Sequence, residues 1–387
     1  MKILFTGGGT GGHVLPIIAI VREIRKIYPA PLTNKGDRVY AKGDLQFFYI
    51  GPKDEFGEIF LSHEGIEFKK VLSGKIRRYR DWKSISQNLV DLLFKIPVGI
   101  LQAFFYIFVL SPDLILSKGG FGSFPGVIAG WLLRTPIFLH ESDIVPGLSN
   151  RFLSKFALEI FVSFSKTEYF PPRKMILIGN PIRKEILEGS KEKSKELFGL
   201  TGEKPVVLIL GGSQGAQRIN DKILEILPEL LTDFEIIHQC GENNFKEVRT
   251  EAKVVITGDL EKYYHPFPFL REEELKHAYQ AADLIVSRAG SGSIFEISAV
   301  GKPSILVPLP ESAQNHQVAN AYAYAEGGNC IVMEEANFTP RFFLEKLKYL
   351  FSRPEELEKM AKSAREFAKP QAAKIIAEYI VDYLTPH

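Results

Sequence analysis

The chain has 387 residues, of which 45% are hydrophobic and 24% charged, and its formal net charge is +2. That length exceeds one ordinary core and predicts two or three domains of a soluble globular protein. The small net charge, without long basic runs or RNA-binding aromatic motifs, excludes nucleic acid as an expected partner. Cys240 and Cys330 have no metal-ligand spacing, and no signal-peptide pattern opens the chain. Both observations favour a reducing, cytosolic location.

In the first half, short apolar runs alternate with longer helical patterns, as is typical of βαβ units and a parallel sheet. Predicted strands cover residues 2–6, 45–50, 113–117 and 137–140. The first of them leads into FTGGGTGGHVLP (residues 5–16), a glycine-rich turn that opens a helix. Residues 28–44 are rich in turn formers and lack a core pattern, which predicts an exposed loop.

Residues 96–112, IPVGILQAFFYIFVLSP, carry no charged side chain. This run is shorter than the roughly 20 apolar residues that span a bilayer, so it is not expected to cross a membrane. It is either a buried helix of an α/β domain or an apolar surface that enters a membrane interface. The basic passage KIRRYRDWK (residues 75–83) favours the second interpretation, because it could meet anionic lipid headgroups.

The second half repeats the α/β order after a polar passage at residues 184–199. A strand at 205–210 leads into GGSQG (211–215), and a strand at 283–287 leads into RAGSGS (288–293). The predicted domains are therefore residues 1–183 and 184–369. A last helix, from about 370 to 387, is a candidate to pack back on the first domain.

The three glycine loops each follow an apolar strand and open a helix, where backbone N–H groups can bind an anion. One such loop could merely let strand and helix pack closely, but three of them at the carboxyl ends of parallel strands predict ligand-binding edges. The first loop fits a dinucleotide fingerprint poorly, because Pro16 comes early in its helix and no acidic residue stands about 20 residues on. This argues against a nicotinamide-dependent dehydrogenase.

Two side chains beside these loops are suited to chemistry. Glu296, one turn into the helix after the third loop, could accept hydrogen bonds from both hydroxyls of a ribose, or could be a solvated residue favoured by the helix dipole. His13, at the end of the first loop, is either a cap or packing residue or a general base, since the ordinary histidine pKa of about 6.5 suits that role.

Seven motifs in order along the chain resemble those of the bacterial peptidoglycan N-acetylglucosaminyltransferases, which make lipid II from lipid I. They are GGGTGGHVLP, KGGFGSFPGVIA, HESDIVPGLSNR, GNPIR, GGSQGAQRIN, SRAGSGSIFEISAVGKPSILVPLP and AQNHQVANA. The resemblance implies an α/β GT-B fold with two Rossmann-like parallel-sheet domains facing a cleft. It also implies inverting transfer of N-acetylglucosamine from UDP-N-acetylglucosamine (UDP-GlcNAc) to the C4 hydroxyl of the muramoyl sugar of undecaprenyl-linked lipid I, with no metal or other cofactor.

The same resemblance assigns roles by motif, with His13 as the general base. The donor-binding residues it implies are Thr10, Gly11, Gly12, Asp143, Arg183, Ser213, Gln214, Leu270, Arg288, Ser291, Gly292, Ser293, Ile294, Phe295, Glu296 and Gln317. The acceptor-binding residues it implies are Gly8, Gly9, Gly119, Gly120 and Glu141.

Because lipid I is membrane-bound, the resemblance also implies a peripheral protein on the cytoplasmic membrane leaflet, with cell-wall synthesis proteins as further candidate partners. Two alternatives carry different expectations. A related lipid glycosyltransferase would use another UDP-sugar and a diacylglycerol acceptor. A non-catalytic UDP-sugar-binding protein could dispense with His13.

Overall fold

A computed structural model describes residues 1–8, 11–28, 45–75, 82–212 and 215–385. The chain forms two compact units, Met1–Arg183 together with Gln371–His387, and Lys184–Pro370. Residues 29–44 of the predicted loop and 76–81 of the basic passage lie outside the described residues.

The first unit is built on a parallel sheet. Its strands in the described residues are β1 (Lys2–Gly7), β2 (Gln46–Gly51), β3 (Glu67–Lys70), β4 (Leu114–Gly119), β5 (Ile137–Glu141), β6 (Glu159–Val162) and β7 (Met175–Leu177). They lie side by side in the order β3-β2-β1-β4-β5-β6-β7. Phe5 of β1 pairs with Tyr49 on one side and with Leu116 on the other. The order of the connections therefore reverses between β1 and β4, where sheets of this kind bind ligands at their carboxyl ends.

Helices cover both faces of this sheet. In chain order they are α1 (Gly11–Ile27), α2 (Glu55–His63), α3 (Trp82–Val90), α4 (Ile96–Leu110), α5 (Phe124–Leu132) and α6 (Leu148–Leu153). Ile3 and Phe5 of β1 pack in one core with α1, and Leu4 packs in a second core with α4 and α5. Successive residues of a strand point to opposite faces, so a strand covered on both sides is apolar throughout.

The helices α3 and α4 are joined through a π-helical segment, Asp91–Lys95, into one long helical run. Gly99, Ala103 and Ile107, spaced by four residues, form the buried stripe of α4. A side chain at Gly99 would overlap the carbonyl oxygen of Leu72, so this contact requires glycine. We call these three residues the glycine seam.

Most of the other positions of α4 are exposed and apolar, which makes the buried-helix interpretation of residues 96–112 wrong. The largest exposed side chains are Trp82, Leu89, Leu92, Leu93, Phe94, Leu101, Phe105, Phe108 and Val109. Within the described residues, Ile85–Leu110 is the one helix long and apolar enough to cross a membrane, and 17% of its apolar window is buried. We call this surface the apolar face.

The second unit repeats the architecture. The strands described there are β8 (Val206–Leu210), β9 (Glu235–Gln239), β10 (Tyr264–Phe267), β11 (Leu284–Ser287), β12 (Ser304–Leu306) and β13 (Cys330–Val332). They form a parallel sheet in the order β10-β9-β8-β11-β12-β13, and Val207 of β8 pairs with both Ile236 and Leu284. The connections reverse between β8 and β11.

The helices of the second unit surround that sheet. They are α7 (Lys191–Phe198), α8 (Gln217–Glu225), α9 (Leu227–Asp233), α10 (Phe245–Val255), α11 (Glu272–Ala281), α12 (Ser291–Val300), α13 (His316–Ala325), α14 (Pro340–Phe351) and α15 (Pro354–Phe367). The last helix, α16 (Ala372–Leu384), belongs to the first unit, where Ile376 and Ile380 are buried in the core of Ile3 and Phe5.

Candidate active site

His13 lies at the carboxyl end of β1, on the first turn of α1, and is half-buried. Its ring lies against two glycines: a Cβ atom added at Gly8 would be 3.0 Å from its Cε1 atom, and one added at Gly120 would be 3.0 Å from its Nε2 atom. The Gly8 N–H donates to the Gly119 carbonyl over 2.9 Å. The loop after β1 and the loop after β4 are therefore joined around the imidazole.

Gly119 and Gly120 have φ angles of 82° and 78°, in the left-handed region that favours glycine. A side chain at Gly119 would overlap the amide of Asn150, and one at Gly120 would crowd His13. These two glycines therefore let the backbone after β4 pass close to the imidazole.

A buried polar cluster lies beneath this loop, at the carboxyl ends of β4 and β5. The Lys118 ammonium lies 2.6 Å from Nδ1 of His140 and donates to Ser142 Oγ over 2.6 Å and to Asn180 Oδ1 over 3.3 Å. His140 Nε2 lies 3.1 Å from the Gly179 carbonyl oxygen, which can only accept. This assigns the imidazole hydrogen to Nε2 and leaves Nδ1 as the acceptor for the lysine.

The charges of this cluster are reduced by burial. Desolvation lowers the pKa of Lys118 to about 7, and desolvation together with the nearby Lys118 lowers the pKa of His140 well below its ordinary value. Glu141, which also lies in the cluster, has its pKa raised to about 7 by burial and by the Asp143 carboxylate. Its two oxygens accept from the Asp143 N–H over 2.9 Å and from Asn150 Nδ2 over 2.7 Å. Burial therefore favours the neutral forms of Lys118, His140 and Glu141 at this edge of the first unit.

In the second unit, the loop after β11 opens α12. Ser291 is buried, and the side chains of Ile294 and Phe295 are fully buried in the core, so these two apolar residues can meet a ligand only through their backbone. Glu296 is half-buried on the same helix, and its Oε2 atom accepts a hydrogen bond of 3.0 Å from the hydroxyl of Tyr279. The helix N-terminus thus combines backbone N–H groups with one oriented carboxylate.

An ion network lies at the carboxyl edge of the second sheet. Arg288, directly after β11, donates to Glu335 Oε1 over 2.6 Å and to the Val307 carbonyl over 3.2 Å. Glu335 also binds Arg218, whose Nη2 atom lies 2.9 Å from Glu311 Oε1. The inner pair is largely shielded from solvent, whereas Arg218 and Glu311 are exposed. The guanidinium of Arg288 is therefore fixed beside the third glycine loop.

Two further predicted donor residues have their polar groups engaged within the protein. Leu270 is buried, and its N–H donates to Gln239 Oε1 over 3.0 Å. The backbone carbonyl of Leu270 is therefore the polar group that could contact a nucleobase. Gln317 accepts the Leu309 N–H at its Oε1 atom over 3.0 Å, so its Nε2 group is the end suited to sugar hydroxyls.

The residues just before α13 carry backbone strain. Gln314 and Asn315 have φ angles of 59° and 54°, a conformation that costs free energy in residues with a side chain. They stand three and two residues before Gln317, so the strain lies in the same turn as a predicted site residue.

Comparison with known proteins gives the family. The family model of the glycosyltransferase family 28 N-terminal domain matches residues 3–162, and that of the C-terminal domain matches residues 206–376. A relative from Clostridium tetani (strain Massachusetts / E88) is 35% identical over 386 residues, which cover 99% of this chain and 98% of the relative. That relative is named UDP-N-acetylglucosamine--N-acetylmuramyl-(pentapeptide) pyrophosphoryl-undecaprenol N-acetylglucosamine transferase. The chain belongs to glycosyltransferase family 28.

Solved structures agree with this family 28 assignment. MurG from Acinetobacter baumannii superposes with a TM-score of 0.71 at 25% identity, covering 98% of this chain and 99% of that one. UDP-GlcNAc 2-epimerase from Neisseria meningitidis, bound to UDP-GlcNAc, gives 0.64 at 18% identity over 99% and 100% of the two chains, a likeness of fold alone. The predicted GT-B class, with two Rossmann-like parallel-sheet domains, is confirmed.

The predicted site residues of this family 28 chain divide between its two units. In the first unit lie Gly8, Gly11, Gly12, His13, Gly119, Gly120, Glu141, Asp143 and Arg183. In the second unit lie Leu270, Arg288, Ser291, Gly292, Ser293, Ile294, Phe295, Glu296 and Gln317. The predictions for Gly9, Thr10, Ser213 and Gln214 fall outside the described residues.

Sequence reasoning missed several residues that the structure brings to these two edges. Lys118, His140, Asn150 and Asn180 all stand inside motifs quoted above, and a lysine ending an apolar strand was a usable signal. Tyr279 and Glu335 stand outside those motifs, and their partners are 17 and 47 residues away in the chain. Nothing in the local pattern indicated them.

Proposed function

We propose that this protein is the enzyme that transfers N-acetylglucosamine from UDP-GlcNAc to the C4 hydroxyl of the muramoyl-pentapeptide of diphospho-undecaprenol, converting lipid I to lipid II. One observation carries the proposal. Over 99% of its length the chain is 35% identical to a relative named for this transfer. The seven ordered motifs include His13 and Glu296, the proposed general base and the proposed ribose ligand.

His13 is the proposed general base. The acceptor C4 oxygen attacks the anomeric carbon of the sugar from the face opposite the diphosphate, so the new bond forms with inversion. The C4 hydroxyl gives its proton to the imidazole as the bond to the leaving UDP breaks. The close packing of His13 against Gly8 and Gly120 supports this role, because it limits the positions that the ring can take.

The second unit is the proposed donor site. Backbone N–H groups at the start of α12 and the Arg288 guanidinium would bind the diphosphate and stabilise the charge that develops on it as UDP leaves. Glu296 would accept hydrogen bonds from the ribose hydroxyls. Among the described residues no cluster of His, Cys, Asp or Glu could hold a metal ion, and transfer without added metal remains a prediction.

The first unit is the proposed acceptor site. The diphosphate of the lipid would lie on the backbone of the loops at Gly8 and Gly119–Gly120, next to His13. Glu141 is held by the Asp143 N–H and by Asn150, which gives it one orientation toward a sugar hydroxyl. Its pKa of about 7 lets it accept or donate a hydrogen bond near neutral pH.

The apolar face is the proposed membrane contact, on the cytoplasmic leaflet. Phe94, Leu101, Phe105 and Phe108 are each at least 64% exposed, and contiguous apolar surface of this kind marks an interaction site. The glycine seam ties α4 to α5, and α5 packs in the core of the first sheet. A helix attached in this way is suited to lie in the plane of the lipid interface rather than to cross the bilayer.

A direct assay tests the function. Purified full-length protein is incubated with labelled UDP-GlcNAc and a short-chain lipid I analogue in chelator, and labelled disaccharide lipid is measured. Formation of the β-linked product without metal is expected. No product while a control enzyme of the same family succeeds would contradict the proposal. Transfer from another UDP-sugar to diacylglycerol, or UDP binding without any transfer, would favour one of the two alternatives.

A further inference from the structure

We propose that Tyr279 is a positioning residue for the donor nucleotide: its hydroxyl holds the Glu296 carboxylate in the orientation that binds both hydroxyls of the ribose. This inference rests on the proposed donor role of Glu296. It concerns a residue that no motif of the sequence indicated, and it explains how a glutamate on a helix surface can select for ribose.

The geometry assigns the fixed and the movable partner. Tyr279 lies on the last turn of α11, and only 1% of its surface is exposed, so its ring cannot change position without disrupting the core. Glu296 lies on α12 and is half-buried. The hydroxyl of Tyr279 donates to Glu296 Oε2 over 3.0 Å. The rigid tyrosine therefore orients the more mobile glutamate.

The chemistry of a carboxylate makes this bond useful. Each oxygen can accept two hydrogen bonds, so the tyrosine takes one acceptor position of Oε2 and leaves Oε2 able to accept another. When both carboxylate oxygens face the ribose, each of the two neighbouring hydroxyls can donate to its own oxygen. A glutamate that rotates freely must lose that rotational freedom on binding, whereas one already held by Tyr279 has lost it on folding.

The need of a buried hydroxyl for a partner does not by itself explain the contact. Tyr324 of the same unit is fully buried, and its hydroxyl has no hydrogen-bond partner in the described part of the chain. This unit therefore tolerates an unpaired tyrosine hydroxyl. Tyr324 also contacts Phe367, which packs against Phe295 on α12, so it is a matched control near the same helix.

The test compares two nucleotide ligands across four forms of the protein. Binding of UDP and of 2′-deoxy-UDP is measured by calorimetry for the wild type and for Tyr279→Phe, Tyr324→Phe and Glu296→Gln. We expect Tyr279→Phe to weaken UDP binding about 5- to 20-fold, which is less than the loss of a complete hydrogen bond between ligand and charged group, because Glu296 itself remains. Binding of 2′-deoxy-UDP should change less than about 2-fold, because that ligand cannot use the oriented pair of oxygens. Tyr324→Phe should match the wild type for both ligands.

Two results would overturn the inference alone. Tyr279→Phe could weaken both nucleotides equally, which would indicate a packing defect, or it could behave like Tyr324→Phe. If instead the wild type binds the two nucleotides equally, or Glu296→Gln changes neither, the donor role of Glu296 fails as well. The wild type and Glu296→Gln therefore separate the two failures.

Discussion

The two units place charged groups at the same edge of similar sheets but treat them differently. In the first unit, Lys118 and Glu141 are buried, and desolvation brings the pKa of each to about 7. In the second unit, Arg288 and Glu335 remain an ion pair, extended outward by exposed partners. Burial disfavours the charged form of an isolated group, whereas pairing preserves it. Burial thus favours neutral groups at the first edge, whereas the second edge keeps a network of ion pairs.

The two units also differ in how their exposed apolar side chains are distributed. The apolar face belongs to the first unit, whose proposed substrate is a lipid, and it is continuous along α3 and α4. In the second unit the proposed substrate is a soluble nucleotide, and exposed apolar side chains such as Val254 and Phe342 stand on separate helices.

His13→Ala should abolish most turnover while leaving donor binding intact. Loss of a general base typically lowers kcat by about 10²- to 10⁴-fold. The affinity for UDP should stay within about 2-fold of the wild type, because this histidine is proposed to act on the acceptor. Steady-state kinetics and calorimetry measure the two quantities, and His63→Ala, on the exposed end of α2, is the control. Equal losses of kcat and of UDP affinity would contradict the proposal that the first unit binds the acceptor and the second unit binds the donor.

Phe105→Glu combined with Phe108→Glu should weaken binding to anionic vesicles at least about 10-fold, since each buried phenylalanine contributes roughly 1.5–3 kcal/mol. Because both side chains are exposed, the Tm should be unchanged. Sedimentation with vesicles and thermal unfolding measure these effects. Val254→Glu, a charge placed on an exposed apolar residue of the second unit, should have no effect on vesicle binding. Loss of folding in the double variant would instead indicate that the apolar face is covered by protein.

Arg288→Lys should weaken UDP binding about 10-fold, because a lysine lacks the rigid planar fork with which the guanidinium donates to Glu335 and to the Val307 carbonyl. The matched control is Arg218→Lys, which changes an exposed member of the same network and should alter affinity by less than about 2-fold. Calorimetry with UDP gives both values. Similar effects at the two arginines would show that the network acts only through its total charge.

Glu141→Gln should change how stability depends on pH. Because the folded state raises the pKa of this carboxyl from 4.5 to about 7, its contribution to stability is present below pH 4.5 and is lost as pH rises toward 7. The variant lacks this loss, so its stability relative to the wild type should rise by roughly 2–3 kcal/mol between pH 5 and 8. Urea unfolding at several pH values measures the difference. Parallel curves for the two proteins would mean that Glu141 is already charged throughout.

Much of the fold could be predicted from the sequence, because its regular elements follow local rules. Runs such as residues 2–6 and 205–210 are apolar on both faces and end in glycine, which indicated β1 and β8 as buried parallel strands. The joining of α3 to α4 was not foreseen, since Asp91 and Lys95 interrupt the apolar pattern. In the folded protein the Asp91 carboxylate accepts from the Lys75 N–H over 3.1 Å and lies at ion-pair distance from Lys95, so burial of the acid is compensated.

The candidate site was predictable only in part. Motifs located the loops around His13 and Glu296, but they could not show which side chains support them. The Tyr279–Glu296 bond and the Arg288–Glu335 pair join elements that are distant in the chain. Which side chains meet depends on how the helices and strands pack together. The local periodicity of the sequence does not determine that packing. Burial likewise decides the pKa of Lys118, and the motif alone could not reveal it.

The glycine seam has a consequence for protein engineering. Gly99, Ala103 and Ile107 are the buried positions of α4, and Gln102, Tyr106 and Leu110 are partly buried beside them, so exposed positions such as Leu101, Phe105 and Phe108 make little contribution to folding. We expect that glutamate, lysine or glutamine at the exposed positions would lower the hydrophobicity of this surface while the core beneath it stays packed. Changing Gly99 alone, by contrast, would detach the helix while leaving its hydrophobicity untouched.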